Sequence, residues 1–414
     1  MMDKISGNIV IGQSGGPTAV INSSVAGVYK AAKDMGVQKV YGMVHGIQGF
    51  LEKDLISLED YLGNGINIEM LKRTPSAFLG TCRYKLPEHE GNEEIYEQIF
   101  RVMDEFGIEV FFYIGGNDSM DTVKMLSDYA AAHGRTQKFV GIPKTVDNDL
   151  PVTDHCPGYG SAAKYIAASL KEVIRDVEST GLANPTVLLV EIMGRNAGWL
   201  TAAAALAKGE DCSGVDAIYL PERVFDIDAF VEHIREVAQT KNTIVIAVSE
   251  GIKLADGRFV CELGGGTDST DVFGHKQLSG CALTLAGIVS ERTGFKTRSI
   301  ELSTLQRAAN HMASLTDIDE AMQAGYHGVE AAAAGETGVM VVMNRISQQP
   351  YYCRMETYDI HNIANGEKTV PMEWITEDGR GLTKEMIDYM RPLIMGELFP
   401  IYVNGLPAHL VRKK

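Results

Sequence analysis

The sequence predicts an α/β protein with two lobes, each built on a mainly parallel sheet covered by helices. The first observation is the length of 414 residues, which exceeds what one hydrophobic core usually holds. The second is composition, since 45% hydrophobic and 22% charged residues are typical of a globular protein. The third is an alternation of short β-rich runs with helical patterns along most of the chain. This alternation is typical of βαβ units and parallel sheets.

The strands are predicted where short apolar, β-branched runs end in glycine or polar residues, and helices where apolar residues recur at helical spacing. No element is predicted for the mixed sequence from about 351 to 414. The predicted strands are Asn8–Gly12, Lys39–Val44, Glu109–Ile114, Lys138–Ile142, Thr186–Ile192, Ala217–Leu220, Thr243–Val248, Thr297–Leu302 and Gly338–Asn344. The predicted helices include Ala19–Met35, Asn92–Phe106, Ser119–Ala132, Ser161–Glu178, Leu200–Lys208, Ala229–Thr240 and Gln277–Thr293.

Charge and cysteine content narrow the partners and the compartment. The net charge of −16 argues against nucleic acid and against an anionic membrane as main partners. No apolar run approaches the roughly 18 residues that a spanning helix needs. The six cysteines are scattered without a CxxC pair, which disfavours a disulfide scaffold or a zinc site. We expect a reduced, cytoplasmic protein.

Glycine pairs follow two of the predicted strands. Gly15 and Gly16 come after the first strand and before a helix predicted to open at Thr18–Ala19. Glycine lets the backbone approach a phosphate, and a helix N-terminus attracts anions. Gly115 and Gly116 repeat the pattern. The alternatives are an ordinary tight turn at the first pair and, at the second, helix capping by Asp118 and Ser119.

A third polar segment follows the strand that ends at Ile142. Thr145, Asp147 and Asp149 stand at alternate positions and would share one face of an extended backbone. One carboxylate would serve as a base while the other helps to hold a metal. The alternative is a polar loop with Asx-turns.

Taken together, GGxDS, PKTxDND and MGR resemble the phosphofructokinase family. Further short motifs also match this family: SGGP, LGTCR, SEG, TR and QR. All of these motifs occur in the family's order, and together they span about three quarters of the chain. The resemblance implies the family's two-lobed fold with an active-site cleft between the lobes. Residues 1–160 plus about 305–365 would form the donor-binding lobe. Residues of about 161–304 plus about 366–414 would form the sugar-phosphate-binding lobe.

The resemblance also implies roles for individual residues. Asp147 matches the base that accepts the proton of the sugar C1 hydroxyl, and Lys144, Asp118 and Arg195 are further catalytic candidates. For each arginine, a surface ion pair is the alternative. The donor-binding candidates are Gly15, Gly16, Arg83, Gly116, Ser119 and Lys144; the sugar-phosphate candidates are Thr145, Asp147, Met193, Gly194, Arg195, Glu250, Arg298 and Arg307; the Mg²⁺ candidates are Asn117 and Asp149.

Two positions indicate the phosphoryl donor. ATP-using members of the family have GGDG and a glycine in place of the lysine of PKT, whereas this chain has Asp118 and Lys144. A carboxylate at Asp118 would repel the α-phosphate of ATP by about 4 kcal/mol at about 4 Å and an effective dielectric of about 20. The expected substrates are therefore pyrophosphate and fructose 6-phosphate. The alternative is that Asp118 and Lys144 pair with each other or point away.

Three departures from the family pattern keep other functions open. Asn117 replaces an Asp associated with the metal, Thr304 replaces a His that contacts the sugar phosphate, and Thr186 replaces an Arg that reaches a neighbouring subunit. The alternatives are an ATP-dependent phosphofructokinase and a non-catalytic sugar-phosphate-binding regulatory subunit. Sedoheptulose 7-phosphate is a second acceptor that the clamp would fit. We expect a homo-oligomer, either a dimer or a tetramer.

Overall fold

The computed structural model describes residues 5–180, 184–265, 278–363 and 366–413. The chain divides into two compact units, which are described separately. The first unit comprises Met1–Ser161, Arg307–Glu367 and Met395–Lys414, and the second comprises Ala162–Gln306 and Lys368–Ile394.

The strands and helices have the following bounds. The strands are β1 (Asn8–Gln13), β2 (Val40–Met43), β3 (Leu55–Ser57), β4 (Ile108–Gly115), β5 (Lys138–Pro143), β6 (Thr186–Ile192), β7 (Ala217–Tyr219), β8 (Thr243–Ser249), β9 (Lys296–Glu301), β10 (Val339–Gln348), β11 (Tyr351–Asp359), β12 (Tyr402–Val403) and β13 (Leu406–Pro407). The helices are α1 (Ile21–Asp34), α2 (Gly46–Leu51), α3 (Glu59–Leu62), α4 (Gly65–Lys72), α5 (Glu93–Glu105), α6 (Asn117–Ala132), α7 (Tyr159–Glu178), α8 (Trp199–Ala202), α9 (Ile227–Ala238), α10 (Cys281–Thr293), α11 (Leu305–Ala308), α12 (Leu315–Ala333) and α13 (Lys384–Met390).

The first unit is built on a seven-stranded sheet in the order β11-β10-β5-β4-β1-β2-β3. The central strands run parallel, and only the edge strands β3 and β11 are antiparallel to their neighbours. Both faces of the sheet are covered: Val110 and Phe112 enter one buried cluster, whereas Phe111 and Tyr113 enter another. This explains why β4 is a continuous apolar run instead of an alternating one.

The second unit carries a four-stranded parallel sheet in the order β7-β8-β6-β9. Val187 and Leu189 of β6 and Ile244 and Ile246 of β8 lie in its buried core. Strand β9 forms one edge of this sheet. Its side chains are mostly exposed or half-buried.

All nine predicted strands are present, which confirms the α/β class and the mainly parallel sheets. Of the predicted helix Gln277–Thr293, the first residue lies outside the described ranges, and α10 begins at Cys281. The predicted helix Leu200–Lys208 is wrong in type, because only Trp199–Ala202 is α-helical and Ala203–Ala207 is a 3₁₀ helix. None of the helices in the described ranges is long and apolar enough to span a bilayer.

The chain beyond residue 350 differs most from expectation. Strand β11 is nine residues long and pairs with β10, although no element was predicted there. Residues from Met395 onward belong to the first unit, not to the second as expected. Two contacts explain this return: Arg73 Nε donates to the Phe399 carbonyl at 2.9 Å, and the Leu410 N–H donates to Thr74 Oγ1 at 2.9 Å.

Candidate active site

Three of the predicted motifs meet at one edge of the first sheet. They follow β1, β4 and β5, which are parallel neighbours in the order β5-β4-β1. The Ser14 N–H donates to the Ile114 carbonyl at 2.9 Å, and the Lys144 N–H donates to the Gly115 carbonyl at 3.1 Å. The strand order reverses between β4 and β1, since β2 lies on the far side of β1. Ligands of parallel sheets bind at such a position.

The first glycine turn is not followed directly by a helix. Helix α1 begins at Ile21, so the expected opening at Thr18–Ala19 is wrong. Thr18 Oγ1 instead accepts from the Val20 N–H at 3.3 Å, a local bond that competes with helix formation. Gly15 has a φ of +71°, which favours glycine. The backbone of the turn, and not a helix dipole immediately behind it, is what this motif offers to a phosphate.

Two arginines lie by this turn. The Gly15 N–H donates to the Cys82 carbonyl at 3.3 Å, so the exposed Arg83 is next to a residue bonded to the turn. Arg307 Nη1 lies 2.8 Å from the point where a Cβ at Gly16 would be. Any side chain at Gly16 would therefore displace Arg307. Arg307 belongs to the first unit and Arg298 to the second, so one unit does not contain both members of the expected clamp.

The second glycine turn opens helix α6 at Asn117, with Gly116 as the N-cap residue. Capping by Asp118 and Ser119 is therefore wrong. Asp118 is exposed in the first helical turn, whereas Ser119 is buried over Gly115, where a Cβ would come within 1.9 Å of its Oγ. Asn117 Oδ1 is shielded from solvent and has no hydrogen-bond partner in the described part of the chain.

Lys144 is the buried cation of this edge. Its side chain is almost fully buried, and Nζ donates to the Gly16 carbonyl at 2.8 Å. Burial lowers the pKa of Lys144 to about 8, although Asp147 and Asp149 act to raise it. Within the described ranges, no ion pair joins Lys144 to Asp118, which leaves both charges available to a ligand.

The carboxylate segment is a turn and not an extended strand. Asn148 has a φ of +56°, so the expected single face of Thr145, Asp147 and Asp149 is wrong. Thr145 Oγ1 nevertheless accepts from the Asp147 N–H at 3.0 Å and lies 3.4 Å from Asp147 Oδ2. Burial, and then the charge of Asp147, raise the pKa of Asp149 to about 7. The two carboxylates therefore share one electrostatic environment.

The sequence did not predict the hydrogen bonds that hold this turn. The buried Asn148 side chain accepts from the Cys156 N–H at 2.9 Å, and the Thr145 N–H donates to the Pro157 carbonyl at 3.2 Å. The buried Asp317 then accepts from the Gly158 and Ser161 N–H groups at 2.9 and 2.8 Å. An Asn between two Asp residues was the available signal for the turn. Nothing in the local pattern indicated Asp317, which comes from α12.

The oxygen atoms of the first unit suit a hard divalent cation. Asn117 follows β4 and Asp149 follows β5, so both lie beyond the same ends of adjacent strands. The unpartnered Asn117 Oδ1 and the half-buried Asp149 carboxylate, whose pKa is raised, are groups that Mg²⁺ would satisfy and neutralise. The donor set therefore fits the expected Mg²⁺.

In the second unit, the candidate sugar segment follows β6. Gly194 has a φ of +144°, and its N–H donates to Glu250 Oε1 at 3.3 Å. The Met193 N–H donates to Gln306 Oε1 at 3.3 Å. The side chain of Ser249 donates to the Gly194 carbonyl. Gln306 and Ser249 were not predicted, although both stand next to predicted residues in the sequence. Met193, Gly194 and Glu250 thus belong to one hydrogen-bonded segment at the ends of β6 and β8, and Arg195 directly follows Gly194.

Arg298 does not lie at these strand ends. It is exposed on the edge strand β9 and is paired with Leu188, four residues before Ile192. At the rise of a β-strand, four residues correspond to roughly 13 Å. Within the second unit, the structure therefore does not bring Arg298 together with Glu250. Thr304 is also exposed.

Comparisons with known proteins agree on one family. The family model described as phosphofructokinase matches residues 8–332. A pyrophosphate–fructose 6-phosphate 1-phosphotransferase of Methylococcus capsulatus is 42% identical, covering 97% of this chain and 95% of the relative. The protein of that name from Xanthomonas campestris pv. campestris is 41% identical, with coverages of 99% and 96%. The crystal structure of a pyrophosphate-dependent phosphofructokinase from Nitrosospira multiformis superposes with a TM-score of 0.88 at 38% identity, covering 99% of this chain and 98% of that one.

Proposed function

The chain belongs to the phosphofructokinase family, and from that premise we propose that it is a pyrophosphate-dependent 6-phosphofructokinase. It transfers a phosphoryl group from pyrophosphate to the C1 hydroxyl of fructose 6-phosphate. The products are fructose 1,6-bisphosphate and phosphate. We expect the reaction to run near equilibrium, and therefore reversibly, because no nucleotide bond is spent. The reaction is a step of glycolysis and gluconeogenesis.

The observation that carries the donor assignment is the buried Lys144, held 2.8 Å from the Gly16 carbonyl in the first glycine turn. A cation in this position matches a small, highly charged donor. Asp118 supports the same assignment, because its exposed carboxylate stands in the first turn of α6 and would repel the further phosphate of a nucleotide. The ATP-dependent and regulatory alternatives are not favoured by the relatives' names.

In this proposal, Asp147 is the base. Its carboxylate accepts the C1 proton as the hydroxyl oxygen attacks phosphorus, and Thr145 orients the carboxylate through Oγ1, which lies 3.4 Å from Asp147 Oδ2. Asn117 and Asp149 would hold Mg²⁺, and the bound ion would supply positive charge to the phosphate oxygens. Arg83 and Lys144 lower the cost of charge on the transferred group and on the leaving phosphate.

The second unit supplies groups for the sugar. Glu250 accepts hydrogen bonds from sugar hydroxyls, and the Met193–Arg195 segment binds the substrate through its backbone and through the Arg195 side chain. Arg298 of this unit is assigned to the 6-phosphate, and so is Arg307, which belongs to the first unit, because a guanidinium binds phosphate oxygens in pairs. The two arginines would contact the phosphate and not the carbon chain of the sugar. Sedoheptulose 7-phosphate therefore remains a candidate acceptor.

We also propose a cytoplasmic homo-oligomer. The exposed Arg298 on an edge strand is a group that a second copy can use, in a dimer or a tetramer. Thr186 does not contribute such a contact, because its side chain is buried at the start of β6. Light scattering of the native protein and of Arg298→Gln, together with fructose 6-phosphate kinetics, tests the assignment. A monomer with full activity would exclude it.

Donor dependence tests the proposed function directly. Fructose 1,6-bisphosphate formation is followed with Mg²⁺ and fructose 6-phosphate, with pyrophosphate or ATP as donor. We expect turnover with pyrophosphate alone. Turnover with ATP alone would keep the family and overturn the donor. The absence of turnover with either donor would favour the regulatory subunit.

A further inference from the structure

Two amide side chains flank the first glycine turn in the sequence and are buried in the first unit. Gln13 is the last residue of β1, and Asn22 is the second residue of α1. Both side chains are almost fully buried, and Gln13 Nε2 donates to Asn22 Oδ1 at 3.0 Å. A buried amide is costly unless its polar atoms are paired, so the other partners of these two side chains indicate what they stabilise.

The remaining polar atoms of the two amides bind the backbone of the segment that joins Thr74 to Leu79. The Leu79 N–H donates to Gln13 Oε1 at 2.9 Å, and the Phe78 N–H donates to Asn22 Oδ1 at 2.8 Å. Asn22 Nδ2 donates to the Thr74 carbonyl at 2.8 Å. This segment is neither helix nor strand, so regular secondary structure does not pair these backbone groups and the two amides do.

The chemistry of the contacts fixes how both amides are oriented. A backbone N–H can only donate, and a carbonyl oxygen can only accept. Gln13 must therefore present its oxygen to Leu79, which turns its NH₂ group toward Asn22. Asn22 in turn presents its oxygen to Phe78 and its NH₂ group to Thr74. A carboxylate has no donor and an apolar side chain has neither group, so only an amide at each position makes all of these bonds.

The Thr74–Leu79 segment leads directly into the LGTCR motif, which ends at Arg83. The bond to Gln13 fixes the first residue of this motif. The Gly15 N–H donates to the Cys82 carbonyl at 3.3 Å, which fixes the motif one residue before Arg83. A displacement of the segment would therefore move Arg83 relative to the first glycine turn.

We propose that Gln13 and Asn22 are positioning residues for the phosphoryl donor. They hold the Thr74–Leu79 segment against the end of β1, so that Arg83 stands beside the first glycine turn. Because both side chains are almost fully buried, they act through Arg83 and not by contact with the donor. The proposal rests on the proposed function in one respect, which is the assignment of Arg83 to pyrophosphate.

A double-mutant cycle with Arg83→Gln separates positioning from a general loss of structure. Gln13→Met keeps an unbranched side chain of similar length but removes its hydrogen bonds, so kcat/KM for pyrophosphate should fall by about tenfold. In the Arg83→Gln background the same substitution should cost less than about twofold, because the group that it positions is already absent. The KM for fructose 6-phosphate at saturating pyrophosphate should stay within about twofold of the native value. Gln38→Met, which replaces an exposed amide of the same unit, is the control and should leave kcat/KM unchanged.

Hydrogen exchange measures the positioning without any substrate. In Gln13→Met, a peptide that covers residues 74–83 should exchange at least about tenfold faster than in the native chain. The same peptide in Gln38→Met should exchange as in the native chain. If Gln13→Met does not fold, Asn22→Ala removes the bonds of the second amide without adding volume, and it decides by the same two measurements.

Unchanged exchange of this peptide would overturn the proposal. An equal loss of kcat/KM with and without Arg83 would overturn it as well, since the amides would then act by general stability. A native chain without pyrophosphate turnover would instead overturn the proposed function, and hydrogen exchange alone would then decide whether the amides hold the segment.

Discussion

The edge of the first sheet and the sugar segment of the second unit differ in the kind of polar groups they contain and in how deeply these groups are buried. At the first, the decisive groups are buried or half-buried side chains with displaced pKa values, above all Lys144 and Asp149. At the second, backbone N–H groups of Met193 and Gly194 are held by neutral or half-buried partners, and the cation Arg298 is exposed. In line with this difference, we propose that the first region performs the chemistry and that the second recognises the substrate. Substitutions should therefore change kcat in one and KM in the other.

The largest effect is expected at Asp147. Asp147→Ser removes the proposed base, so kcat should fall by about 10² or more while the KM for fructose 6-phosphate changes little. Steady-state kinetics in both directions measures this. Asp60→Ser, an exposed carboxylate of the same unit, is the control. Near-normal turnover would remove Asp147 from the role of base.

Lys144→Met should lower kcat/KM for pyrophosphate by about 10²-fold, because a charge-assisted contact to the donor is lost. The pKa of about 8 adds a pH signature: Lys144 loses its charge as pH rises through this value, so kcat/KM for pyrophosphate should fall above about pH 8. The pH profile of Lys144→Met should lack this decline, whereas Lys39→Met should retain it. An identical profile in Lys144→Met would assign the decline to another group.

Asp118→Gly should admit ATP, because it removes the repulsion of a further phosphate. A gain of about tenfold or more in ATP-dependent turnover is expected, with pyrophosphate activity largely kept. Donor competition with purified protein measures both. Unchanged exclusion of ATP would mean that the barrier is steric and not electrostatic.

Glu250→Gln tests the second region, where recognition depends on hydrogen bonds. The amide oxygen can still accept from the Gly194 N–H, so only the charge is lost, and the KM for fructose 6-phosphate should rise by about threefold to tenfold. The kcat should change by less than about twofold. Glu291→Gln on α10 is the matched surface control. A large loss of kcat with an unchanged KM would contradict the division between the two regions.

The smallest effect concerns stability behind the carboxylate segment. His155 is buried and bonds to Asp154 and Glu320 at 2.8 and 2.7 Å. Burial lowers the pKa of His155, but Glu320 and Asp154 outweigh it and raise the value to about 9. The protonated ring thus stabilises the fold fully below about pH 6.5, and this contribution is lost as pH rises through about 9.

Urea unfolding between pH 6 and pH 9.5 measures this contribution to the free energy of unfolding. The difference between the native chain and His155→Gln should shrink as pH rises. A difference that stays constant with pH would show that the imidazole contributes by packing and not by charge. His327→Gln is the control, because the native His327 ring is half-exposed and lies beside Glu330.

The strands were predictable because their signal is local. Apolar runs such as Val110–Tyr113 are typical of a sheet that is buried on both faces, and the turn residues that bound these strands follow them directly in the sequence. Strand β11 was not predicted because Tyr351–Asp359 contains no valine or isoleucine and lies at a sheet edge, where most of its side chains are exposed or half-buried. The return of residues 395–413 to the first unit depends on contacts with Arg73 and Thr74, more than three hundred residues earlier.

By itself, the sequence determined the α/β class, the alternation of elements and the motif residues that identify the family, because periodicity and turn chemistry act over a few residues. Only the tertiary structure decided that Arg307 lies against Gly16, that Asn148 turns the carboxylate segment, and that Arg298 stands away from Glu250. It also decided the charge states of Lys144 and Asp149. A pKa depends on burial and on neighbours brought together by strand order, and neither quantity is encoded in a local pattern.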